Sequence, residues 1–256
     1  MKGTVAVVAG GAGHAGSCIA QTLLDRGATV VVPSRSLSRL SALGARLDAG
    51  GPGELHLVRA DLADTAEAES LRDLVLERHG RLDSVIASLG TFEREARIDE
   101  MDRATWDRLV FDNLTPHFVV ARTFAPVLAD RGGVYVTLAG ITANEPMTFG
   151  APMSVTGAGL RMLLRVLAAE HAGTAIRCHE VTLLAPILDH WFGFEPQPGW
   201  LTADEVGRFV ADVLDPGWAH PDQLLLSLPE PDSPRVWRRP TSPRSDEHRT
   251  SAPRER

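Results

Sequence analysis

The stretch Val5-Ala6-Val7-Val8-Ala9-Gly10-Gly11-Ala12-Gly13-His14-Ala15-Gly16 joins a short apolar run to a glycine-rich loop. Gly11, Gly13 and Gly16 fit the spacing G-x-G-x-x-G, and an amphipathic stretch follows through about Arg26. Glycines at this spacing let backbone amides approach a pyrophosphate, whose charge the N-terminus of the next helix stabilises. The stretch therefore predicts a strand, a dinucleotide-binding loop and a helix. A glycine-rich tight turn without a ligand is the alternative.

Apolar runs alternate with longer amphipathic stretches along the rest of the chain. Such alternation is typical of a parallel β-sheet with helices on both faces. Neither an internal repeat nor a second core interrupts it, so we predict a single α/β domain over residues 1–232, a Rossmann-type doubly wound parallel β-sheet in three αβα layers. The predicted strands are Val5–Ala9, Thr29–Val32, Leu55–Arg59, Ser84–Ala87, Gly133–Leu138, Ala175–Leu184 and Gln223–Leu228. The predicted helices after the first are Thr65–His79, Trp106–Ala129, Pro152–His171 and Thr202–Leu214.

Composition excludes several classes of protein. The 256 residues are 44% hydrophobic and 23% charged, which is ordinary for a globular domain and excludes wholesale disorder. No apolar run approaches the ~18–20 residues that cross a bilayer, and the first apolar run is too short for a signal peptide. Two distant cysteines, Cys18 and Cys178, provide neither a disulfide framework nor metal-ligand spacing. We therefore expect a cytoplasmic protein with no metal and no membrane contact.

Residues 233–256 differ in composition from the rest, with seven arginines and four prolines against three acidic residues. We interpret them as a flexible basic C-terminal tail. A nucleic-acid or membrane patch is the alternative. Because the whole chain has a net charge of −7, the rest of the protein is strongly acidic, and we expect no nucleic-acid partner.

The end of the second predicted strand indicates which nucleotide binds. A cofactor with a free ribose 2′-hydroxyl calls for an acidic residue about 20 residues beyond the glycine loop. Ser34 and Arg35 occupy this position instead, and Arg39 follows one helical turn later. A guanidinium can hold a phosphate through two hydrogen bonds, so these residues predict NADP(H) rather than NAD(H). The alternative is that Arg35 is a solvated surface charge.

About residues 3–230 resemble a short-chain dehydrogenase/reductase. Ala9–Gly16 resembles the family's T-G-x-x-G-x-x-G loop with alanine in place of threonine, and Asp61-Leu62 resembles the pair that holds the adenine ring. Ile86–Gly90 resembles the segment usually written N-N-A-G, of which the glycine remains, and Asn113 matches the asparagine of a family helix. Together, the loop and the resemblance assign the cofactor to Gly10, Gly13, His14, Ala15, Gly16, Ser34, Arg35, Asp61, Leu62, Ala87, Ser88 and Gly90.

The catalytic part departs from the family. The family's serine aligns with Gly140, its tyrosine with Met153 and its lysine with Gly157. No shift of register restores the pair, because the single tyrosine is Tyr135 and the single lysine is Lys2. The resemblance gives the tyrosine the role of general acid or base, which is typically worth ~10²–10⁴-fold in rate. We therefore expect NADP(H) binding without the family's usual proton chemistry.

Other polar side chains are candidates for the missing roles. We assign Asn113 and His190 as candidate catalytic residues, since His190 follows the sixth predicted strand at the edge of the sheet where sites form. His117 shares a helix face with Asn113, although a core or interface histidine is the favoured interpretation. The loop after the serine position adds three polar residues, which loops also carry for solubility alone: Thr142, Asn144 and Glu145.

A short aromatic segment, Trp191–Trp200, replaces the family's substrate loop. It is either an apolar wall for a small-molecule substrate that is apolar or aromatic, or a hydrophobic latch onto the body or another subunit. The resemblance also implies a homodimer or homotetramer formed through helices at about 105–129 and 152–171, with Arg161 and Arg165 at the interface.

Three functions remain open. The cofactor-binding part favours an NADP(H)-dependent oxidoreductase with non-standard proton chemistry, acting on a substrate that needs no strong acid. The loss of the catalytic residues also fits a non-redox biosynthetic enzyme on the same scaffold, such as a dehydratase, isomerase or cyclase. Glycines at two catalytic positions fit a catalytically silent scaffold that binds NADP(H).

Overall fold

Residues 1–47, 51–93, 96–188, 199–233 and 235–236 are described by a computed structural model of the chain. Strands and helices alternate within these ranges in the order that the sequence predicts. The strands are β1 (Val5–Ala9), β2 (Thr29–Ser34), β3 (Glu54–Arg59), β4 (Ser84–Ala87), β5 (Val134–Gly140), β6 (Arg177–Leu183) and β7 (Leu225–Leu228). The helices are α1 (His14–Asp25), α2 (Leu37–Arg46), α3 (Thr65–His79), α4 (Arg103–Arg131), α5 (Ala151–Glu170) and α6 (Ala203–Val213), and the 3₁₀ turn Ile141–Ala143 follows β5.

The strands form one parallel sheet in the order β3-β2-β1-β4-β5-β6-β7. In the centre of the sheet, Val7 of β1 pairs with Val31 on one side and Val85 on the other. Consecutive strands leave β1 in one direction up to β3 and in the opposite direction from β4. The neighbouring strands β1 and β4 therefore form the switch point at which open α/β sheets bind ligands, beyond the carboxyl ends of the strands.

Two hydrophobic cores lie on opposite faces of the sheet. The side chains of β1 alternate between them, with Ala6 and Val8 in one core and Val5 and Val7 in the other. The first core is closed by α1, α2 and α6, and the second by α3, α4 and α5. The three-layer doubly wound α/β fold that the sequence predicts is confirmed.

Helix α2 is an element that the sequence prediction lacks. It begins where the Ser36 side chain accepts a hydrogen bond from the Arg39 N–H, and Leu40 and Leu43 bury its apolar side. Its serines and arginines hide this pattern, because only a narrow stripe is apolar. The helix matters for the site, since it starts directly after β2 and fixes Arg39 beside Arg35.

Candidate functional site

An open cleft lies beyond the carboxyl ends of β1, β2, β3 and β4. The loops after these four strands line it together with one face of α4. The lining residues are Gly10, Ala12, Gly13, Pro33, Ser34, Arg35, Arg39, Ala60, Asp61, Leu62, Ala63, Ser88, Leu89, Gly90, Thr91, Asp112 and Pro116.

The glycine loop after β1 is built from backbone packed against backbone. Gly10 has φ of +82°, and a carbon added there would lie 1.9 Å from the Ser88 carbonyl oxygen. A carbon added at Gly16 would lie 2.3 Å from the Gly10 carbonyl oxygen. Glycine is therefore required at these two positions of the loop. Because the first turn of α1 carries no acidic residue, its N-terminus is favourable for an anion, and the loop fits a pyrophosphate.

Ser34 and Arg35 lie at the end of β2, and both line the cleft. The Arg35 side chain is 61% exposed, and its nearest carboxylate partner is Asp112, 3.9 Å away. Arg39 lines the same wall. Two guanidinium groups and a hydroxyl beside an open cleft fit a phosphate group better than a ribose 2′-hydroxyl.

The loops after β3 and β4 also line the cleft. The Asp61 carboxylate accepts a hydrogen bond from the Ala63 N–H at 3.0 Å, and the Asp61 N–H donates to Glu67 at 2.8 Å. Leu62 is buried in the core beneath. Ser88 donates its N–H to the Ala9 carbonyl at 2.8 Å, which ties the loop after β4 to the glycine loop. These hydrogen bonds fix the positions of the loops after β3 and β4 beside the cleft.

Eight of the predicted cofactor residues line the cleft together: Gly10, Gly13, Ser34, Arg35, Asp61, Leu62, Ser88 and Gly90. Four do not line it. His14, Ala15 and Gly16 form the first residues of α1, and Ala87 is buried in the last position of β4. Gly16 and Ala87 act through packing, and cofactor contact by these four stays a prediction. His190 lies outside the described residues, as do Asp189 and Trp191–Pro198.

Sequence reasoning missed the contribution of α4 to the cleft. Asp112 and Pro116 line it, and they lie four residues apart on one helix face. That spacing, next to the asparagine of the resemblance, is the signal that identifies them. The Asp112 carboxylate lies 3.9 Å from the Arg35 guanidinium and offsets part of its positive charge.

The Asn113 side chain connects α4 to the loop after β4 through hydrogen bonds. Its side-chain oxygen accepts a hydrogen bond from the Thr91 N–H at 2.9 Å, and its amide nitrogen donates to the Leu109 carbonyl at 2.8 Å. Gly90 makes this possible, since a carbon added there would lie 2.2 Å from the Asn113 oxygen. The side chain therefore has a positioning role in this structure, and the catalytic role assigned to it stays a prediction.

The three positions of the family's catalytic residues are occupied in different ways. Gly140 ends β5, and the nearest described atom to a carbon added there is 3.9 Å away. Met153 is buried, with 6% of its surface exposed. A carbon added at Gly157 would lie 3.1 Å from the Ala143 backbone nitrogen and 3.2 Å from its Cα. The turn after β5 therefore packs against α5 at the lysine position.

Arg161 pairs with a buried carboxylate, and its expected place at a subunit interface stays a prediction. Its guanidinium donates to the Glu180 carboxylate, and Glu180 in the middle of β6 is fully buried. Thr182 donates to the same carboxylate at 2.6 Å. The buried acid attracts the arginine away from the helix surface, because an unpaired buried carboxylate is costly. Arg165, one turn further along α5, is exposed.

Two buried polar residues, His117 and Tyr135, lie between α4, α5 and β5. His117 is 1% exposed, and its Nε2 lies 3.1 Å from the Leu89 carbonyl oxygen. Burial lowers the pKa of His117 to about 4, so the ring is neutral at physiological pH. Burial likewise raises the pKa of the Tyr135 phenol. The favoured interpretation of His117 as a core histidine is confirmed.

Arg235 belongs to the folded body, although the sequence prediction starts the flexible tail at residue 233. Its guanidinium donates to the Glu205 carboxylate at 2.7 Å and to the Trp200 carbonyl at 3.3 Å. The hydrogen bonds from Arg235, together with those from the Thr202 cap, lower the pKa of Glu205 to about 2. The Arg235 charge therefore has a partner at the start of α6. Residues 234 and 237–256 lie outside the described residues, so the flexible tail stays a prediction.

The described residues contain neither a candidate membrane span nor a candidate metal site. None of their helices is long and apolar enough to cross a membrane. Within the same ranges, no group of three or more histidine, cysteine or acidic side chains is arranged to hold a metal ion.

Residues 4–185 match the sequence model of the family described as short chain dehydrogenase. One relative is a hydroxy-methyl-oxo-hexahydroindene-carboxyl-CoA reductase of Mycobacterium tuberculosis, 30% identical over 185 residues, which are 71% of this chain and 70% of the relative. Another is the 3beta-hydroxysteroid dehydrogenase 2 of Eggerthella lenta, 26% identical over 183 residues, with coverage of 71% and 70%.

The fold has a solved counterpart in a metagenomic short-chain oxidoreductase in complex with NADP. The TM-score is 0.72 at 24% sequence identity, and the match covers 89% of this chain and 96% of the other. At this identity the likeness concerns the fold alone.

Proposed function

Since the chain belongs to the short chain dehydrogenase family, we propose that it binds NADP(H) in the cleft at the β1–β4 switch point and works as an oxidoreductase. One observation carries the proposal. The exposed Arg35 guanidinium lies with Ser34 and Arg39 on the wall that adjoins the glycine loop, where a dinucleotide places its adenosine ribose. The relatives named as a dehydrogenase and a reductase support the same class.

The chemistry follows from what is present and what is missing. When bound, NADPH supplies a hydride, which needs positioning more than acid catalysis from the protein. Met153 and Gly157 offer neither a phenol nor an ammonium group to the substrate. We infer substrates whose reduction needs no strong acid, such as an activated dicarbonyl, an imine or a polarised double bond. The aromatic segment Trp191–Trp200 favours planar examples of these.

The same proposal includes self-association. The outward faces of α4 and α5 carry large exposed apolar side chains, and the two helices pack side by side. Exposed apolar side chains on two adjacent helices favour an interface, here with a second copy of the chain to form a homodimer or homotetramer. The exposed apolar residues are Phe111, Phe118, Val155, Met162 and Val166.

The proposal is tested by NADPH oxidation with two planar dicarbonyls, isatin and 9,10-phenanthrenequinone. We expect turnover of NADPH above the background without protein, with NADH a much weaker donor. Simple ketones such as cyclohexanone are expected to react slowly, because they need more help with the proton. Tight NADPH binding with no oxidation by any acceptor supports the silent scaffold instead, and absence of NADPH binding contradicts the proposal. Product formation from a substrate without any nucleotide would favour the non-redox enzyme.

A further inference from the structure

The turn that follows β5 places a hydroxyl beside Gly140, the position of the missing serine. A carbon added at Gly140 would lie 3.9 Å from Thr142 Oγ1, its nearest described atom. A serine there would extend one bond further into the same space. Thr142 is half-buried, and its hydroxyl makes no hydrogen bond with any residue in the described part of the chain. The hydroxyl is therefore available to a ligand at the end of β5.

The turn is held from beneath by a charged network. Arg161 donates to the Ala143 carbonyl oxygen at 3.5 Å and to the side-chain oxygen of Asn144. The other side of the same guanidinium pairs with the buried Glu180 carboxylate. A charge-assisted network with planar geometry restricts the turn more tightly than a single neutral bond.

The glycine at the lysine position completes the arrangement. The Ala143 backbone lies close enough to α5 that a carbon at Gly157 would approach its nitrogen to 3.1 Å. A lysine there would press the turn away from the helix. Glycine at 157 and arginine at 161 thus have a common consequence, since both bring residues 141–144 against α5.

Resting on the proposed function, we propose that Thr142 is a catalytic residue whose hydroxyl donates a hydrogen bond to the carbonyl oxygen of the substrate. Arg161 and Glu180 are then positioning residues that hold the turn. In the reduction, the carbonyl carbon receives a hydride from NADPH, and the electron pair of the C=O π bond moves to the oxygen. Thr142 stabilises the charge that develops on this oxygen, and water supplies the proton that completes the alcohol.

The test compares four forms of the full chain: wild type, Thr142→Val, Thr142→Ser and the double variant Gly140→Ser with Thr142→Val. Valine has the shape of threonine without the hydroxyl. Gly140 has an extended backbone (φ −98°, ψ 173°), so serine fits there and returns a hydroxyl to the family's position. The probes are isatin and 9,10-phenanthrenequinone, with NADPH as donor. Calorimetry measures NADPH binding, and separately the binding of isatin to the complex with NADP⁺.

We expect Thr142→Val to lower kcat by about 100-fold, the usual effect of losing one donor to a developing oxyanion. Thr142→Ser and the double variant should each recover at least about tenfold of this loss, because a hydroxyl is again present. NADPH affinity should stay unchanged, and isatin should bind the valine variant more weakly.

Other outcomes overturn the inference. Wild-type turnover and isatin affinity in Thr142→Val would show that the hydroxyl does not touch the substrate. A loss that neither serine variant recovers would show that threonine acts by packing. If wild type binds neither NADPH nor isatin, both the proposed function and this inference fail, whereas normal turnover in Thr142→Val defeats the inference alone.

Discussion

Glycine has opposite roles in two halves of the sheet edge. The cofactor half is formed by the loops after β1 to β4. The catalytic half is formed by β5, α5 and the turn between them. In the cofactor half, Gly10 and Gly16 pack so closely against backbone that a side chain cannot enter. In the catalytic half, a carbon added at Gly140 would make an ordinary contact with Thr142 Oγ1 at 3.9 Å, and Gly157 lies against the Ala143 backbone. The first pair is required by the packing of the loop, and the second lies at the two positions where the resemblance predicts a catalytic serine and a lysine.

The largest effect is expected from Gly10→Ala. The added methyl would lie 1.9 Å from the Ser88 carbonyl, and φ of +82° is unfavourable for alanine. We expect a loss of about 4 kcal/mol or more in the free energy of unfolding, at the top of the range for single substitutions, and loss of NADPH binding. Chemical denaturation and calorimetry measure both.

Gly3→Ala is the matched control for that variant. Gly3 has nearly the same backbone, with φ of +81°, but no described atom lies within 4 Å of an added carbon. Its cost should be limited to the backbone strain of about 1–2 kcal/mol. Equal losses at the two positions would show that the backbone conformation, rather than the contact with the β4 loop, is what requires glycine.

The next effect concerns the network under the catalytic half. Arg161→Met leaves the fully buried Glu180 without its cation, and we expect a loss of about 3–5 kcal/mol in stability. The double variant Arg161→Met with Glu180→Met should recover most of it, because apolar side chains replace a buried pair at little cost. A double variant as unstable as the single one would contradict the pairing.

Restoring the family's residues should fail in this half. Met153→Tyr combined with Gly157→Lys puts a side chain where the Ala143 backbone lies 3.1 Å from the added carbon. We expect a loss of about 1–3 kcal/mol in stability from overpacking and no gain in turnover with cyclohexanone. A tenfold or greater rise in turnover, measured as NADPH oxidation, would show that the turn does not obstruct the lysine position.

The smallest expected effect is a pH dependence of the free energy of unfolding, which comes from the buried His117. His117 has a pKa of about 4 in the folded protein, below the ordinary value of about 6.5 for histidine, so the unfolded chain binds the extra proton as pH falls. Stability from this group is present above about pH 6.5 and is lost toward pH 4, by about 1 kcal/mol between pH 7 and 5.5. His117→Gln can still donate to Leu89 but does not titrate. Its stability should therefore fall less over this interval, and parallel curves for the two proteins would contradict the prediction.

The parts predictable from sequence are those fixed by local spacing. The glycine loop, Arg35 after β2 and the alternation of strands and helices depend on residues close together in the chain, and the sheet and the cleft follow from them. The arrangement of the catalytic half depends on distant pairs. Arg161 meets Glu180 across 19 residues and Arg235 meets Glu205 across 30, and neither spacing carries a signal. The hydroxyl of Thr142 stands beside Gly140 because the turn packs on α5, which no local pattern reveals.

We propose that the cofactor half is an intact NADP(H) site and that the catalytic half is rebuilt. The most direct measurement is a calorimetric titration of wild type and Arg35→Leu with NADPH and with NADH. Because a charge-assisted pair is worth about 1.5–3 kcal/mol, we predict that Arg35→Leu weakens NADPH binding by about 10- to 100-fold and leaves NADH binding within about threefold. Equal affinity of wild type for the two nucleotides, or no binding of either, would contradict the claim.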